Sequence, residues 1–530
     1  MQEFKGLPIR GIHFDLKAHT LNFDAMCEIA RKMAKLGYNT ILLEYQDKFP
    51  FTGDLQPIAA PDALTAEQIG KFNALCNELG IQIIPLIQCI GHMYYVLRLK
   101  EFAHLSEIGG TYGYPHALCP SHEGSFDLFK EMAKQVLSLH PSCRYVHIGG
   151  DEARLSESCT RCGDVPKYQL LTSHYEKCCD YMLDCGKRPI MWCDMLLAHP
   201  ETLDTLRGKV TVMDWNYQDT GAPGETPLVW GCDAKNPDSW SPLHQKLIRP
   251  YIYAVEPYLA NSFPYTAFLR DQGFEVLVAP AAKCSGDPIF VPHYKHIDNC
   301  RAAVRAAAKA NALGVVVTSW SVRRTPWPLT ENTLIAAAVC MKNPGVSDAE
   351  AARAFAEDNF GVADVSLAQI PDILSHAAVE ADTACRLLCM GLQFPREDVG
   401  EVDDYAVRKN RFKQTWIGDN AIAPAYAKLG AAADTAQVLL DKAMPKTEEQ
   451  KNRVAFWQWS IDTARLMSEY APWLAAETIP SETAKTLLAK FDALEKQGND
   501  LIAPLYTDYS MESDTKSRIG IHTDYLKQFI

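Results

Sequence analysis

Phe23-Asp-Ala-Met-Cys-Glu-Ile-Ala-Arg-Lys-Met-Ala-Lys-Leu-Gly37-Tyr-Asn-Thr40-Ile-Leu-Leu-Glu-Tyr45 is the stretch whose reading decides the fold. Phe23, Met26, Cys27, Ala30, Met33 and Leu36 fall near helical spacing, so its first half is an amphipathic helix. Gly37 suits the left-handed conformation that ends a helix. Thr40 to Tyr45 then reads as a buried strand. The unit recurs. Thr65-Ala-Glu-Gln68 is a capping-box signal, Ile69, Phe72, Leu75, Cys76 and Leu79 make the stripe, Gly80 ends it, and Ile81–Ile87 is the strand. A helix at Phe126–Leu139 precedes a strand at Tyr145–Ile148. A helix near Gln169–Leu183, closed by Gly186, precedes Ile190–Cys193. Strands follow at Val210–Trp215, Phe274–Val278 and Val315–Trp320, the last after a helix at Cys300–Ala312 and Gly314. Arg10–Leu16 supplies a strand at the start.

Eight strands with near-continuous apolar runs indicate a parallel sheet buried on both faces. Eight such units predict a closed (β/α)8 TIM barrel over residues 1–344. An open doubly wound sheet is the alternative, weakened because no glycine-rich phosphate loop follows the first strand. The sixth crossover, Gln218–Gln272, is too long for one helix, carries Trp230 and Trp240, and is expected to contribute to the mouth of the site. After Pro344 the texture becomes Ala-, Leu- and Lys-rich. Segments near Ala349–Asn359, Leu367–Leu388, Val407–Ala443, Thr447–Tyr470 and Glu482–Gln497 predict an all-α C-terminal domain over residues 345–530.

A net charge of −13 argues against nucleic acid or an anionic membrane as partner, since both need a basic surface. No apolar run reaches the roughly 20 residues of a membrane helix. Met1 to Arg10 lack the apolar core of a signal peptide, although a removed one would leave no trace. Seventeen cysteines, many inside apolar patterns such as Cys27, Cys76, Cys89, Cys193 and Cys340, read as reduced core thiols and a cytoplasmic setting. No cofactor is expected. A homodimer through the helical domain is one expectation for assembly.

Functional groups of such barrels sit at the C-terminal ends of the strands. The fourth strand runs Tyr145-Val-His-Ile-Gly-Gly-Asp-Glu152 and ends in two carboxylates. Gly149 and Gly150 would let a ligand approach the backbone closely. Adjacent acids repel, so one tends to keep its proton, which suits a general acid beside a charge-stabilising carboxylate. The plain alternative is a helix N-cap at Asp151 followed by a first-turn Glu152.

His147-Ile-Gly-Gly-Asp-Glu152 resembles the catalytic signature of family 20 glycoside hydrolases, the β-N-acetylhexosaminidases, and is most similar to the hexosaminidase D branch. Arg10-Gly-Ile-His-Phe-Asp-Leu-Lys17, Leu43-Glu-Tyr-Gln-Asp-Lys-Phe-Pro50 and Ile84-Pro-Leu-Ile-Gln-Cys-Ile-Gly-His92 carry the resemblance further. Weaker matches are Trp192-Cys-Asp194, Asp214-Trp-Asn-Tyr217 and Thr318-Ser-Trp320, so it covers roughly residues 7–340. It implies an exo-acting retaining enzyme that removes a terminal N-acetylhexosamine. The substrate's own acetamide acts as nucleophile, an exception to the two-carboxylate scheme. By this resemblance Asp151 orients the acetamide and Glu152 is the acid and base. Arg10 grips sugar hydroxyls, or else makes a salt bridge at the barrel floor. His92 belongs to the site, supported by an acid that is either Glu44 or Asp47. Trp192, Trp215 and Trp320 wall an apolar pocket, if they are not simply core. Tyr217 donates to the acetamide oxygen, although the main family pattern has its tyrosine after a later strand. Asp194 bonds the sugar or Tyr217. Arg323 and Arg324 read as a solvated basic pair, with a substituent contact as the other reading.

Two other function classes compete. One is a sugar-binding protein on a degenerate barrel, against which the intact Asp151 and Glu152 speak. The other is a metal-dependent barrel hydrolase, which needs a ligand set that His13 and His147 do not complete. Cys159-Thr-Arg-Cys162 lacks a second CxxC, so a disulfide or two free thiols rank ahead of zinc, with Cys119 or Cys178-Cys179 left to complete a site in space.

Overall fold

The computed structural model describes residues 6–530 apart from 18, 109–115, 157, 223, 225–226, 256–258, 285–289, 291–292, 322–325, 381–416 and 516–519. Eight strands run in order: β1 Ile9–Asp15, β2 Thr40–Glu44, β3 Gln82–Leu86, β4 Tyr145–His147, β5 Arg188–Trp192, β6 Thr211–Trp215, β7 Glu275–Ala279 and β8 Gly314–Ser319. Each pairs in parallel with the next, and β8 pairs with β1. The sheet therefore closes into a TIM barrel, as expected, and has no open doubly wound edge. Alternation within β1 shows why the sequence looks apolar throughout. Ile12 and Phe14 face the helices, while Ile9 points into the barrel interior beside Leu42, Ile84, Tyr145, Met213 and Val316.

The barrel helices are α1 Phe23–Leu36, α2 Ala66–Glu78, α3 Glu123–Leu139, α4 Lys167–Asp184, α5 Pro264–Asp271, α6 His293–Lys309 and α7 Trp327–Lys342. Asn22 caps α1 at one end, and Gly37, with φ 100°, ends it by donating to the carbonyls of Met33 and Ala34. The capping box at Thr65 and Gln68 forms at the start of α2. Two connections depart from the simple unit. After β5 come only the short turns Asp194–Ala198 and Leu203–Leu206. After β6 the long crossover holds short helices and a small antiparallel pair, Tyr253–Val255 with Leu259–Ala260, before α5.

Beyond residue 345 the described chain is helical: α8 Asp348–Phe360, α9 Gln369–Glu380, α10 Ile422–Leu440, α11 Glu448–Ala475, α12 Ser481–Ile502 and shorter pieces after them. The expected helical stretches at 381–388 and 407–416 lie outside the described residues. This region packs on the barrel through one continuous apolar cluster. It also shares an ion network: Lys32 of α1 meets Glu331 of α7 at 2.9 Å, Asp358 of α8 at 3.0 Å and Glu449 of α11 at 2.8 Å, while Arg453 of α11 also pairs with Glu331. Near the end, the chain returns to the barrel mouth. Leu505 O accepts from Asn22 N, Thr507 N donates to Thr20 O, Ser510 Oγ accepts from Thr20 N, and Tyr506 stacks on His19 at 3.5 Å. No described helix is long and apolar enough to cross a membrane.

Closure of the barrel leaves no room for a side chain at Gly314. A Cβ there would stand 1.9 Å from the carbonyl oxygen of Ile9, and φ is 152°. Gly314→Ala is expected to cost at least about 1–3 kcal/mol in chemical denaturation. Gly70→Ala, on a helix with open space around it, is expected to be neutral or slightly stabilising. Equal stability of the two variants would show that the β8–β1 seam is not tightly closed.

Candidate active site

The end of β4 is shaped by its neighbours. His147 is fully buried, and its Nδ1 accepts from Gly149 N at 3.0 Å, which leaves the proton on Nε2, aimed into the barrel. Burial holds this ring neutral, its pKa pushed down to about 3. Gly149 and Gly150 adopt φ 64° and 86°. A Cβ on Gly149 would strike Gln88 Oε1 at 1.8 Å, and one on Gly150 would press on Met191 and Tyr175 at 3.2 and 3.3 Å. The glycines therefore admit close protein neighbours, not the ligand approach read from the sequence. No helix follows, so Asp151 is not an N-cap.

Gly91 lets the β3 and β4 loops touch, since a Cβ there would lie 2.2 Å from Asp151 O. His92 Nε2 then stands 3.1 Å from Asp151 Oδ2 and 3.4 Å from Glu152 Oε2. Burial alone would depress the imidazole, but the two carboxylates win and raise its pKa to about 10. The hydrogen bond from His92, against the opposing effect of burial, holds the Glu152 carboxyl below its usual range. The neutral acid expected here is found elsewhere. Asp194, just after β5, is pushed up to about 7 by burial and by the charge of Asp151. It accepts Glu152 N at 2.8 Å and Trp215 Nε1 at 3.4 Å. His92 and Glu152 both hold positive φ, 53° and 48°, a strain of about 1–3 kcal/mol each that surrounding contacts must offset.

Aromatic rings enclose the space beside these acids. Trp192 is buried, 4.4 Å from the His147 ring and 5.8 Å from Trp320. Trp215 lies 5.0 Å from Tyr217 and 4.6 Å from Trp230. Tyr217 OH accepts from Trp320 Nε1 at 2.8 Å, which leaves the phenolic proton to donate. Trp240 stacks on Tyr253 at 6.2 Å and donates to Asp233 O within the crossover. Four buried polar atoms here have no hydrogen-bond partner among the described residues: Gln88 Oε1, His147 Nε2, Asp151 Oδ1 and Trp192 Nε1.

Three expectations change. Arg10 lies at the N-terminal end of β1, where its guanidinium donates to Gly37 O and Leu7 O at 2.7 Å each. It is at the floor, as a cap on carbonyls and not a grip on ligand. Glu44 and Asp47 were the candidates to hold His92. Glu44 pairs with His13 at 3.2 Å and Lys17 at 3.5 Å inside the barrel, and Asp47 turns to Lys48 at 3.3 Å and Arg98 at 3.9 Å. Arg323 and Arg324 lie outside the described residues. The sequence reading passed over Lys17, Gln88 and His116. Lys17 sits two residues past Asp15 and on the same inward phase, a signal that alternation could have given. His116, 4.7 Å from the His92 ring, comes from a loop with no such phase.

The triad His92, His116 and Glu152 has ligand-like spacing. The same His92 Nε2 is the atom shared between Asp151 and Glu152, at 3.1 and 3.4 Å.

Residues 10–226 match the pattern described as "Glycosyl hydrolase family 20, catalytic domain". The barrel is a family 20 glycosyl hydrolase catalytic domain. This family 20 barrel is 33% identical over 235 residues to hexosaminidase D of Bos taurus, covering 42% of this chain and 66% of that protein. It is 38% identical over 225 residues to hexosaminidase D of Homo sapiens, covering 39% of this chain and 45% of that one. The chain thus spans only part of the length of these relatives. A family 20 exo β-N-acetylglucosaminidase from Vibrio harveyi, solved with N-acetylglucosamine, shares 16% identity over 65% of this chain and 56% of its own, with a TM-score of 0.46.

The sign of the His92 shift gives a pH prediction. A raised pKa means that its ion pairs stabilise the folded state fully below about 6.5, the ordinary value, and that this contribution fades as pH rises through about 10. NMR of ring-labelled His92 is expected to show it charged at pH 8. In Asp151→Asn/Glu152→Gln the same ring is expected to titrate well below about 10, because the two carboxylates that outweigh burial are gone.

Proposed function

We propose that this protein is an exo-acting, retaining β-N-acetylhexosaminidase that removes terminal β-linked GlcNAc or GalNAc by substrate-assisted catalysis. The observation that carries the reading is the pairing of Asp151 and Glu152 through one imidazolium at the barrel mouth, with Asp151 Oδ1 buried and unpartnered beside an aromatic wall. A buried carboxylate oxygen without a partner is costly unless a ligand donor or water meets it. The acetamide N–H of the substrate is such a donor.

In this reading the sugar seats against Trp192, Trp215 and Trp320, whose rings offer apolar area for the acetamide methyl and the sugar face. Asp151 accepts the acetamide N–H and stabilises the positive charge that develops there. Tyr217 donates its free proton to the acetamide oxygen and aims it at the anomeric carbon. That oxygen forms a bond to the anomeric carbon as the bond to the leaving oxygen breaks, giving an oxazolinium-like ring. Glu152, about one-third exposed at its side chain, faces outward to the leaving group. Its free-state charge is no obstacle. Seating a sugar excludes water and disfavours both carboxylate charges. The His92 proton, 3.4 Å from Glu152 Oε2, is then positioned to pass to Glu152 and on to the leaving oxygen. Glu152 next takes a proton from the attacking water and returns it to His92, while the water oxygen bonds the anomeric carbon and the acetamide oxygen leaves it, so the sugar is released with its original configuration. Asp194 fixes the Glu152 backbone.

Assay against p-nitrophenyl β-N-acetylglucosaminide, β-N-acetylgalactosaminide and β-glucoside tests this. Turnover of an acetamido sugar without turnover of the glucoside is expected. Glu152→Gln is expected to lower kcat by about 10²–10⁴ on natural, poor leaving groups, and much less on p-nitrophenol. Asp151→Asn should slow both alike. Turnover of the plain glucoside would sink the mechanism, since that sugar has no acetamide to attack.

A further inference from the structure

The CxxC turn is not absorbed by the sugar site. Cys159 and Cys162 are buried, and the fold brings Cys119 to them from the preceding loop. Cys119 Sγ lies 3.9 Å from Cys159 Sγ and 3.7 Å from Cys162 Sγ, and all three sulfurs fall within 4.8 Å of one another. Sulfurs at about 2.3 Å from a tetrahedral zinc stand about 3.8 Å apart. The two distances from Cys119 straddle that value and are far from a disulfide bond. The turn is built for a charged sulfur. Gly163, at φ 55°, follows Cys162 and donates to Cys159 O at 3.2 Å. Backbone N–H groups of Ile108, Arg161 and Cys162 point at Cys159 Sγ. Donors of this kind suit a thiolate.

A fourth group waits beside them. Glu107 is 6% exposed, and its Oε1 has no hydrogen-bond partner. Three buried sulfurs, with Glu107 on the same hairpin as Cys119 (Glu107 N donates to Ala117 O at 3.0 Å and Cys119 N to Leu105 O at 2.9 Å), form a donor set without an occupant of its own chemistry. A cation supplies one.

We propose that Cys119, Cys159 and Cys162 bind a zinc ion, with Glu107 available for the fourth position, and that this ion pins the β3 loop to the β4 loop. The β3 loop carries His92 and reaches Cys119 through the hydrogen bond from Leu118 N to Ile90 O at 2.9 Å. The β4 loop carries Glu152 and ends in the CxxC turn, from which Arg161 bonds His104 O at 2.7 Å and also Ser106 O. The ion thereby fixes the two loops whose meeting sets the His92–Glu152 contact. Three thiolates and an acid leave no open place for substrate, so its role is structural.

Metal analysis of the full chain, purified under reducing conditions after growth with zinc, tests this directly. About one zinc per chain is expected. Cys119→Ser and Cys162→Ser should fall to background, while Cys185→Ser, at an exposed cysteine, should keep its metal. Because a variant could lose metal by misfolding, cobalt replacement in the unaltered protein gives a second readout. Intense sulfur-to-cobalt charge transfer with tetrahedral bands is expected, and chelation should expose three further thiols to a thiol reagent. Zinc near zero with no cobalt–thiolate band overturns the proposal. So does undiminished zinc in both cysteine variants, or a Cys159–Cys162 disulfide in protein isolated without reductant.

Discussion

One imidazole held between two carboxylates sets the geometry of the barrel mouth. His92 comes from the β3 end and Asp151 and Glu152 from the β4 end, so their contact requires the two loops to meet at backbone distance. That meeting needs Gly91, since any Cβ would collide with Asp151 O. It also needs His92 and Glu152 to accept positive φ. Gln46, after β2, shares this conformation and accepts from Tyr94 OH at 3.0 Å. Strain at three successive strand ends persists because the packing beneath over-determines it. The charge distribution follows from the same contact. His92 gathers a proton, Glu152 loses its hold on one, and the buried Asp194 keeps one.

Beneath that contact lies a polar layer that is satisfied only in part. Glu44 is held well below the usual carboxylate range by Lys17 and His13, which outweigh the effect of burial. Above it, His147 Nε2, Trp192 Nε1, Gln88 Oε1 and Asp151 Oδ1 remain without partners among the described residues. Donors and acceptors are thus both represented on the walls, beside rings that prefer apolar surface. An amphiphilic ring such as an N-acetylated sugar meets both demands.

The barrel was legible because its units repeat the same physical events: a stripe, a glycine in left-handed conformation, a buried run. Asp151, Glu152 and His92 were legible because strand ends are where such barrels expose polar groups. Arg10 misled because a strand has two ends, and its place near the start of β1 sends it to the floor. Glu44 and Asp47 misled for another reason. The alternation puts Glu44 inside the barrel, where His13 and Lys17 reach it first. Gly149 and Gly150 were read as room for ligand, yet the room is taken by Gln88, Met191 and Tyr175. Cys119 could only be named as one candidate partner of the CxxC, because its approach depends on how a long loop folds back.

The return of the chain end to the first loop orders events in time as well as in space. Thr20 and Ser510, bonded to each other, are 490 residues apart in the chain. A ribosome that has released β8 has therefore made every strand of the barrel, but not yet the segment that clasps its first loop. During synthesis the mouth near His19 therefore stands open until a segment made long after the last barrel strand reaches it, and the clasp is a late addition to a barrel whose strands are already complete.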